Sequence, residues 1–120
     1  MKLEESRLQK ECVKWFRYQY PELGRMLFSV PNGGSRNAIE ASRLKSEGVV
    51  PGVSDLILLV PNSEHNCLCI EMKTVNGRQS ELQRLWQNDT ERFGNRYVVC
   101  RSFEAFVSEV GNYLSKCDTK

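Results

Sequence analysis

Five consecutive apolar residues, at positions 56–60, constrain the fold more than any other feature of the sequence. The run follows Asp55 and ends at Pro61, so turn-forming residues bound it on both sides. It is short enough to be a strand that is buried on both faces. We therefore predict a sheet in which residues 56–60 form the central strand and other elements cover both sides of it.

Helix and strand patterns alternate along the rest of the chain. The predicted helices cover residues 4–20, 36–47, 81–93 and 103–114, and the other predicted strands cover residues 26–30, 67–73 and 96–100. The third helix is expected to bury Leu82, Leu85 and Trp86. The order α-β-α-β-β-α-β-α predicts a mixed α/β domain with helices packed on a small central sheet. Residues 1–120 are expected to form one domain.

Local signals predict where two of these helices begin. Asn37 is followed three residues later by Glu40, and Ser80 by Gln83, and both spacings are typical of a capping box. Residues 56–60 and 67–73 are separated by a polar turn, so we predict an antiparallel hairpin.

Composition narrows the cellular setting and the partners. The net charge of +2 permits nucleic-acid binding without arguing for it. The five cysteines are an odd number, and no secretory signal is visible, so reduced thiols are expected. No run of 18 apolar residues occurs, so no membrane partner is predicted. We expect an intracellular protein, in the cytoplasm of a bacterial or phage-infected cell.

Two acids and a lysine are predicted to meet at one edge of the sheet. Asp55 opens the central strand, and Glu71 lies near the end of its hairpin partner. Antiparallel pairing brings the start of one strand beside the end of the other. Glu71 and Lys73 are two residues apart on a strand, so their side chains share a face.

This grouping suits phosphodiester hydrolysis with Mg²⁺ or Mn²⁺. A hard cation prefers oxygen ligands, which Asp55, Glu71 and the backbone carbonyl of Met72 supply. Lys73 would orient the attacking water or offset charge on the phosphate. The alternative is that Glu71 and Lys73 form an ordinary solvated ion pair on a strand.

Glu5 is a candidate third acid. At about 100° per residue, it falls on the same side of the first helix as Leu8, Cys12 and Phe16. An inward-facing acid would suit a metal ligand. The alternative is that Glu5 complements the helix macrodipole near the N-terminus.

Candidate contacts to nucleic acid lie in two regions. A glycine-rich loop lets the backbone approach DNA closely, and several basic side chains could bind phosphates. The loop residues are Asn32, Gly33 and Gly34, and the basic residues are Arg36, Arg43, Lys45 and Arg78. Ordinary solvated charges are the alternative for each basic residue.

Five segments in this order resemble the VRR-NUC family of the PD-(D/E)xK nuclease superfamily, over roughly residues 4–114. They are residues 5–9 (ESRLQ), 31–34 (PNGG), 48–56 (GVVPGVSDL), 70–73 (IEMK) and 80–83 (SELQ). One departure is visible, because Ser54 stands where the motif usually has proline.

The resemblance implies a restriction-endonuclease-like core and a metal-dependent endonuclease. By position it implies that Asp55 and Glu71 bind metal, that Lys73 is the catalytic lysine, and that Glu5 and Gln83 also belong to the site. It further implies a homodimer that acts on branched DNA, similar to a Holliday-junction resolvase. The alternatives are a nuclease for flaps or plain duplex, and a catalytically silent DNA-binding module.

Overall fold

The computed structural model describes residues 3–31 and 37–117. The elements are α1 (Leu3–Gln19), β1 (Leu27–Ser29), α2 (Ala38–Ser46), β2 (Leu56–Leu58), β3 (Leu68–Met72), α3 (Glu81–Arg92), β4 (Arg96–Cys100) and α4 (Phe103–Leu114). A short 3₁₀ turn, Pro21–Leu23, follows α1. The predicted order of helices and strands is confirmed, and the mixed α/β fold with it.

The four strands form one open sheet in the order β1-β2-β3-β4. β1, β2 and β3 are antiparallel neighbours, and β4 runs parallel to β3 because α3 carries the chain back across the sheet. In the predicted hairpin, Leu56 pairs with Ile70 and Leu58 with Leu68. β2 therefore lies inside the sheet, as predicted.

α1 and α4 cover one side of the sheet, which we call the apolar face. Its strand residues are those at positions 27, 56, 58, 68, 70, 72, 98 and 100, all of them buried. They pack against Phe16 of α1 and against Phe106 and Val110 of α4, which are also fully buried. Phe106 and Val110 are four positions apart and thus form the apolar stripe of α4 that meets the sheet.

α3 covers the opposite side, which we call the polar face. Here Gln83 of α3 is hydrogen-bonded to Glu71, and Trp86 packs on Tyr97 with ring centroids 6.1 Å apart. The prediction that α3 buries Leu82 and Leu85 is wrong, because these side chains are 51% and 54% exposed. Because the strand residues under α3 are polar, the polar side of the helix faces the sheet and its leucines face outward.

β2 is shorter than the predicted strand at residues 56–60. Leu56 and Leu58 are fully buried, whereas Leu59 is 55% exposed. The register between β1 and β2 ends at Leu58, and one further backbone hydrogen bond of 2.9 Å joins the Leu59 N–H to the Met26 carbonyl oxygen.

α2 makes few contacts with the rest of the fold. None of its residues is buried, and Ile39 is exposed. The predicted cap is confirmed, since the Asn37 side chain accepts a hydrogen bond from the Glu40 N–H at 2.7 Å. Local capping, more than tertiary packing, therefore defines where α2 begins.

Within residues 3–31 and 37–117, no helix has both the length and the apolar character needed to cross a bilayer.

Candidate active site

The two predicted acids meet at one edge of the sheet. The β2–β3 register, extended by one residue, places Asp55 opposite Glu71. Asp55 is fixed there because its Oδ2 accepts a hydrogen bond of 2.7 Å from the backbone N–H of Met72. The antiparallel hairpin thus brings together two carboxyl groups that lie 16 positions apart in the sequence.

Glu71 is a buried carboxyl group held by two donors. Its side chain is 2% exposed. Gln83 Nε2 donates to one oxygen at 2.9 Å, and the Tyr97 hydroxyl donates to the other at 3.3 Å. Burial, and then the adjacent negative charge of Asp55, raise the pKa of Glu71 to about 8, against the opposing effects of Lys73 and Tyr97. The pKa stays raised even with Lys73 close by, so full ionisation of both acids is disfavoured here.

Gln83 performs two structural tasks at once. Its Oε1 accepts from the Ser80 backbone N–H at 2.8 Å, and its own N–H donates to Ser80 Oγ at 3.1 Å, so the predicted capping box is confirmed. The Nε2 of the same amide donates to Glu71. The cap therefore fixes the rotamer of the side chain that reaches the acid pair.

Lys73 lies beside the acid pair under a short loop. Its Nζ is 3.9 Å from Glu71 Oε2, and its side chain is largely buried. Arg101 holds the following loop by donating to the carbonyl oxygens of Thr74 and Gly77. A Cβ on Gly77 would lie 3.3 Å from the Lys73 side chain, so the loop packs closely on the lysine.

The turn that leads to Asp55 is packed against the first turn of α3. Gly52 has a positive φ of 93°, and a Cβ there would lie 2.5 Å from the Leu82 carbonyl oxygen. Only glycine fits this position without displacement. Ser54, at the position where the motif usually has proline, is fully buried, and its hydroxyl donates to the Leu56 carbonyl oxygen at 3.1 Å. The turn thereby couples the position of Asp55 to that of Gln83.

Glu5 is not assembled with these acids. Among the described residues, no three Asp, Glu, His or Cys side chains come together as a group that could hold a metal ion. The physical reason is that α1 packs on the apolar face, whereas Glu71 points to the polar face. Metal binding by Glu5 therefore stays a prediction without support from this geometry.

The predicted nucleic-acid contacts are less clearly grouped. Asn32, Gly33, Gly34 and Arg36 lie outside the described residues. Arg43 is exposed on α2 and forms an ion pair with Glu47 at 2.9 Å, which offsets its charge. Lys45 and Arg78 are exposed. Their contact with nucleic acid stays a prediction.

Three side chains of the site were not anticipated. Tyr97 is hydrogen-bonded to Glu71, Gln79 Nε2 donates to the Tyr97 hydroxyl at 3.2 Å, and Arg101 holds the loop over Lys73. The only available signal for Tyr97 was its position on β4, next to β3 in the sheet. Gln79 and Arg101 carry no motif that could have indicated their roles.

The site offers the ligands that a hard divalent cation prefers. Asp55 and Glu71 present carboxylate oxygens, and Met72, the residue after Glu71, adds its backbone carbonyl. Mg²⁺ is commonly held by one or two carboxylates together with substrate phosphates and water, so two acids are sufficient. A cation held by these acids could polarise a bound phosphate, and Lys73 lies close enough to Glu71 to act beside it.

Comparison with known proteins defines the family. The model of the VRR-NUC domain matches residues 2–104, so the chain belongs to the VRR-NUC family. A solved structure described as a VRR_NUC domain protein superposes with a TM-score of 0.85 at 22% identity, over 100% of this chain and 95% of that one. At this identity the match shows a shared fold. No curated protein matches the sequence.

Family membership implies a nuclease of the PD-(D/E)xK type with DNA as its substrate. Nucleases of this family usually need a divalent metal ion. Asp55 and the run Glu71-Met72-Lys73 are the residues that the sequence resemblance assigns to that motif.

Proposed function

We propose that the protein is a Mg²⁺- or Mn²⁺-dependent endonuclease that cuts branched DNA, in the manner of a Holliday-junction resolvase. The observation that carries the catalytic part is the buried Glu71 carboxyl group beside Asp55, with Lys73 Nζ 3.9 Å away. A protein does not keep a buried acid beside a second, partly exposed acid for stability, because desolvation and repulsion both disfavour the pair.

Each residue has a distinct task in this proposal. Asp55, Glu71 and the carbonyl of Met72 hold the cation, which when bound supplies charge stabilisation at the scissile phosphate. Lys73 directs the attacking water or balances the charge that develops on the phosphate. Gln83 and Tyr97 keep Glu71 in one orientation through their hydrogen bonds.

Activity on a four-way junction requires two cuts, and a symmetric pair of chains would supply two active sites. We infer that the chains pair through the outer side of α3. Leu82, Leu85 and the following Phe93 are exposed there. Leu82 and Phe93 are 11 residues apart, close to three full turns, so they lie on the same side of the helix.

The charges beside this apolar stripe are self-complementary. Glu81 begins α3 and Arg92 ends it, again 11 residues apart and therefore on one side. Two copies of α3 packed antiparallel around a two-fold axis would place each Glu81 near the Arg92 of the other chain. This pairing favours a second copy of the chain over an unrelated partner.

Sedimentation velocity tests the dimer. The wild-type chain is expected to sediment as a dimer at assay concentration, and Leu85→Glu as a folded monomer. Leu59→Glu is the matched control, because Leu59 is equally exposed, at 55% against 54%, but is not part of α3. A monomeric wild-type protein, or a dimeric Leu85→Glu variant, would contradict the assignment of this surface.

A cleavage assay tests the activity. A synthetic four-way junction, a linear duplex, a flap and a single strand are incubated with Mg²⁺ or Mn²⁺. We expect metal-dependent, symmetric cuts in the junction. Lys73→Ala should reduce cleavage by at least about 100-fold without unfolding the protein, whereas Lys116→Ala, at an exposed lysine, should not.

Other outcomes of this assay separate the alternatives. Cleavage of flaps or duplex alone would retain the nuclease and reject the junction as substrate. Tight binding without any cleavage would indicate a silent DNA-binding module. Undiminished cleavage by Lys73→Ala would reject the site.

A further inference from the structure

A groove of about 580 Å³ runs between α1 and the β1 edge of the sheet. It is distinct from the acid pair, because it opens on the side of α1 and not on the side of α3. Its sheet wall includes Ser29 and Leu56, which are partners in the β1–β2 ladder. The next residue of each strand is joined by a hydrogen bond, since the Val30 N–H donates to the Asp55 carbonyl oxygen at 2.9 Å. One end of the groove therefore lies one residue from Asp55.

The helix wall of the groove is positively charged. Lys10, Lys14 and Arg17 line it, and no carboxylate does among the residues that the structure describes. None of the three cations forms an ion pair within that same part of the chain. Arg17 Nε donates to the Gly24 carbonyl oxygen at 3.4 Å, which leaves its terminal N–H groups available. No carboxylate inside the groove therefore offsets this charge, and two acids, Glu4 and Glu11, line the depression on the other side of Lys10 and Lys14.

The spacing of these cations suits a nucleic-acid strand. Residues 10, 14 and 17 follow each other at intervals of four and three positions, so they lie along one side of α1. Lys10 and Arg17 are separated by about 10 Å along the helix axis. That distance equals the rise of about three nucleotides at about 3.4 Å per nucleotide of one strand. Lys14 lies about 6 Å from Lys10 along the same axis, so the three cations match the first, third and fourth of four successive phosphates.

A second observation points to a ligand in the same groove. Gln9 Oε1 is buried in the groove wall and has no hydrogen-bond partner within residues 3–31 and 37–117. A buried polar atom without a partner is unfavourable by about 1–3 kcal/mol. Rotation of this side chain toward the groove would let a donor of a bound strand, such as a base amino group, satisfy it. Phe28 at the groove provides a partly exposed aromatic ring on which a base can stack.

We propose that this groove binds the phosphate backbone of one DNA strand as the strand leaves the catalytic edge, with Lys10, Lys14 and Arg17 contacting phosphates of that strand. The proposal rests on the proposed function, because it takes DNA as the substrate of the neighbouring acid pair. It assigns DNA contacts to α1. None of the basic residues predicted from the sequence to contact DNA lies on this helix.

The salt dependence of DNA binding tests the groove without cleavage. The full chain is titrated against a fluorescent four-way junction and a fluorescent duplex, in EDTA, at 50–200 mM salt. Each phosphate contact contributes about 0.9 to the slope of log K against log salt on duplex DNA. Lys10→Gln/Lys14→Gln is therefore expected to lower that slope by about 1.8. Adding Arg17→Gln should lower it by about 2.7 in total.

Arg96→Gln/Lys116→Gln is the matched control. It removes the same net charge from exposed side chains that do not line the groove. We expect its slope to equal that of the wild type. Circular dichroism confirms folding, and the exposed helix positions 10 and 14 tolerate glutamine.

Three results would overturn the proposal. An unchanged slope in the Lys10/Lys14 variant, an equal loss in the control, or no DNA binding by the wild type would each reject the groove as a phosphate site. Failure of the nuclease assignment would give a different result. The wild-type chain would then still bind DNA in EDTA but would not cleave it in Mg²⁺ or Mn²⁺.

Discussion

The two faces of the sheet differ in what covers them. The apolar face is closed by Phe16, Phe106 and other fully buried side chains of α1 and α4. The polar face is closed by α3, which turns Gln83 inward to Glu71 and exposes Leu82 and Leu85. Just before this helix, Gln79 donates to the Tyr97 hydroxyl. This contrast indicates a division of roles, in which the apolar face supplies stability and the polar face holds the candidate site.

The largest expected effect on stability lies on the apolar face. Phe106→Ala removes a fully buried ring that packs between α4 and the sheet. The free energy of unfolding of this variant, measured by urea denaturation, should fall by about 3–5 kcal/mol. Tyr18→Ala, at an exposed aromatic residue on α1, should change it by less than about 0.5 kcal/mol. Similar losses in both variants would remove the basis of the comparison.

Two glycines test the packing that positions Asp55. Gly52→Ala places a methyl group against the Leu82 carbonyl at a positive φ, so we expect a loss of about 1–3 kcal/mol in stability together with slower cleavage. Gly111→Ala lies within α4 with no atom within 4 Å of the added carbon. It should stabilise the protein by about 0.5–1 kcal/mol. A neutral Gly52→Ala in both stability and cleavage would contradict the coupling of the turn to α3.

Variants at the two residues of the α3 capping box, Ser80 and Gln83, separate an effect on stability from an effect on cleavage. Ser80→Ala removes only the cap, and should lower stability by about 0.5–2 kcal/mol while cleavage remains. Gln83→Ala also removes the donor to Glu71, so cleavage should fall by about 10- to 100-fold. Parallel measurements of urea unfolding and cleavage rate check this. Equal activity in the two variants would reduce Gln83 to a capping residue.

The parts of this fold that depend on neighbouring residues could be predicted from the sequence. The caps at Asn37 and Ser80 need only a side chain and an N–H three residues away. The meeting of Asp55 with Glu71 follows from a single hairpin, whose register is set by two adjacent strands.

The rest depends on contacts between distant segments. Leu82 and Leu85 have helical spacing that ordinarily indicates burial, but the polarity of the sheet face under α3 reversed the orientation. Tyr97 joins the site only because β4 pairs with β3 in parallel, and Arg101 only because the loop after Lys73 folds over it. Neither relation leaves a pattern in the sequence.

The most direct test of the central claim is Glu71→Gln, measured for both stability and activity. The account predicts an unfolding free energy at pH 7 that is unchanged or higher, because an amide of the same shape removes a disfavoured buried carboxyl group. It also predicts that metal-dependent cleavage is lost, while Glu109→Gln, at a residue paired with Arg96 elsewhere, retains it. Cleavage at the wild-type rate by Glu71→Gln would contradict the account.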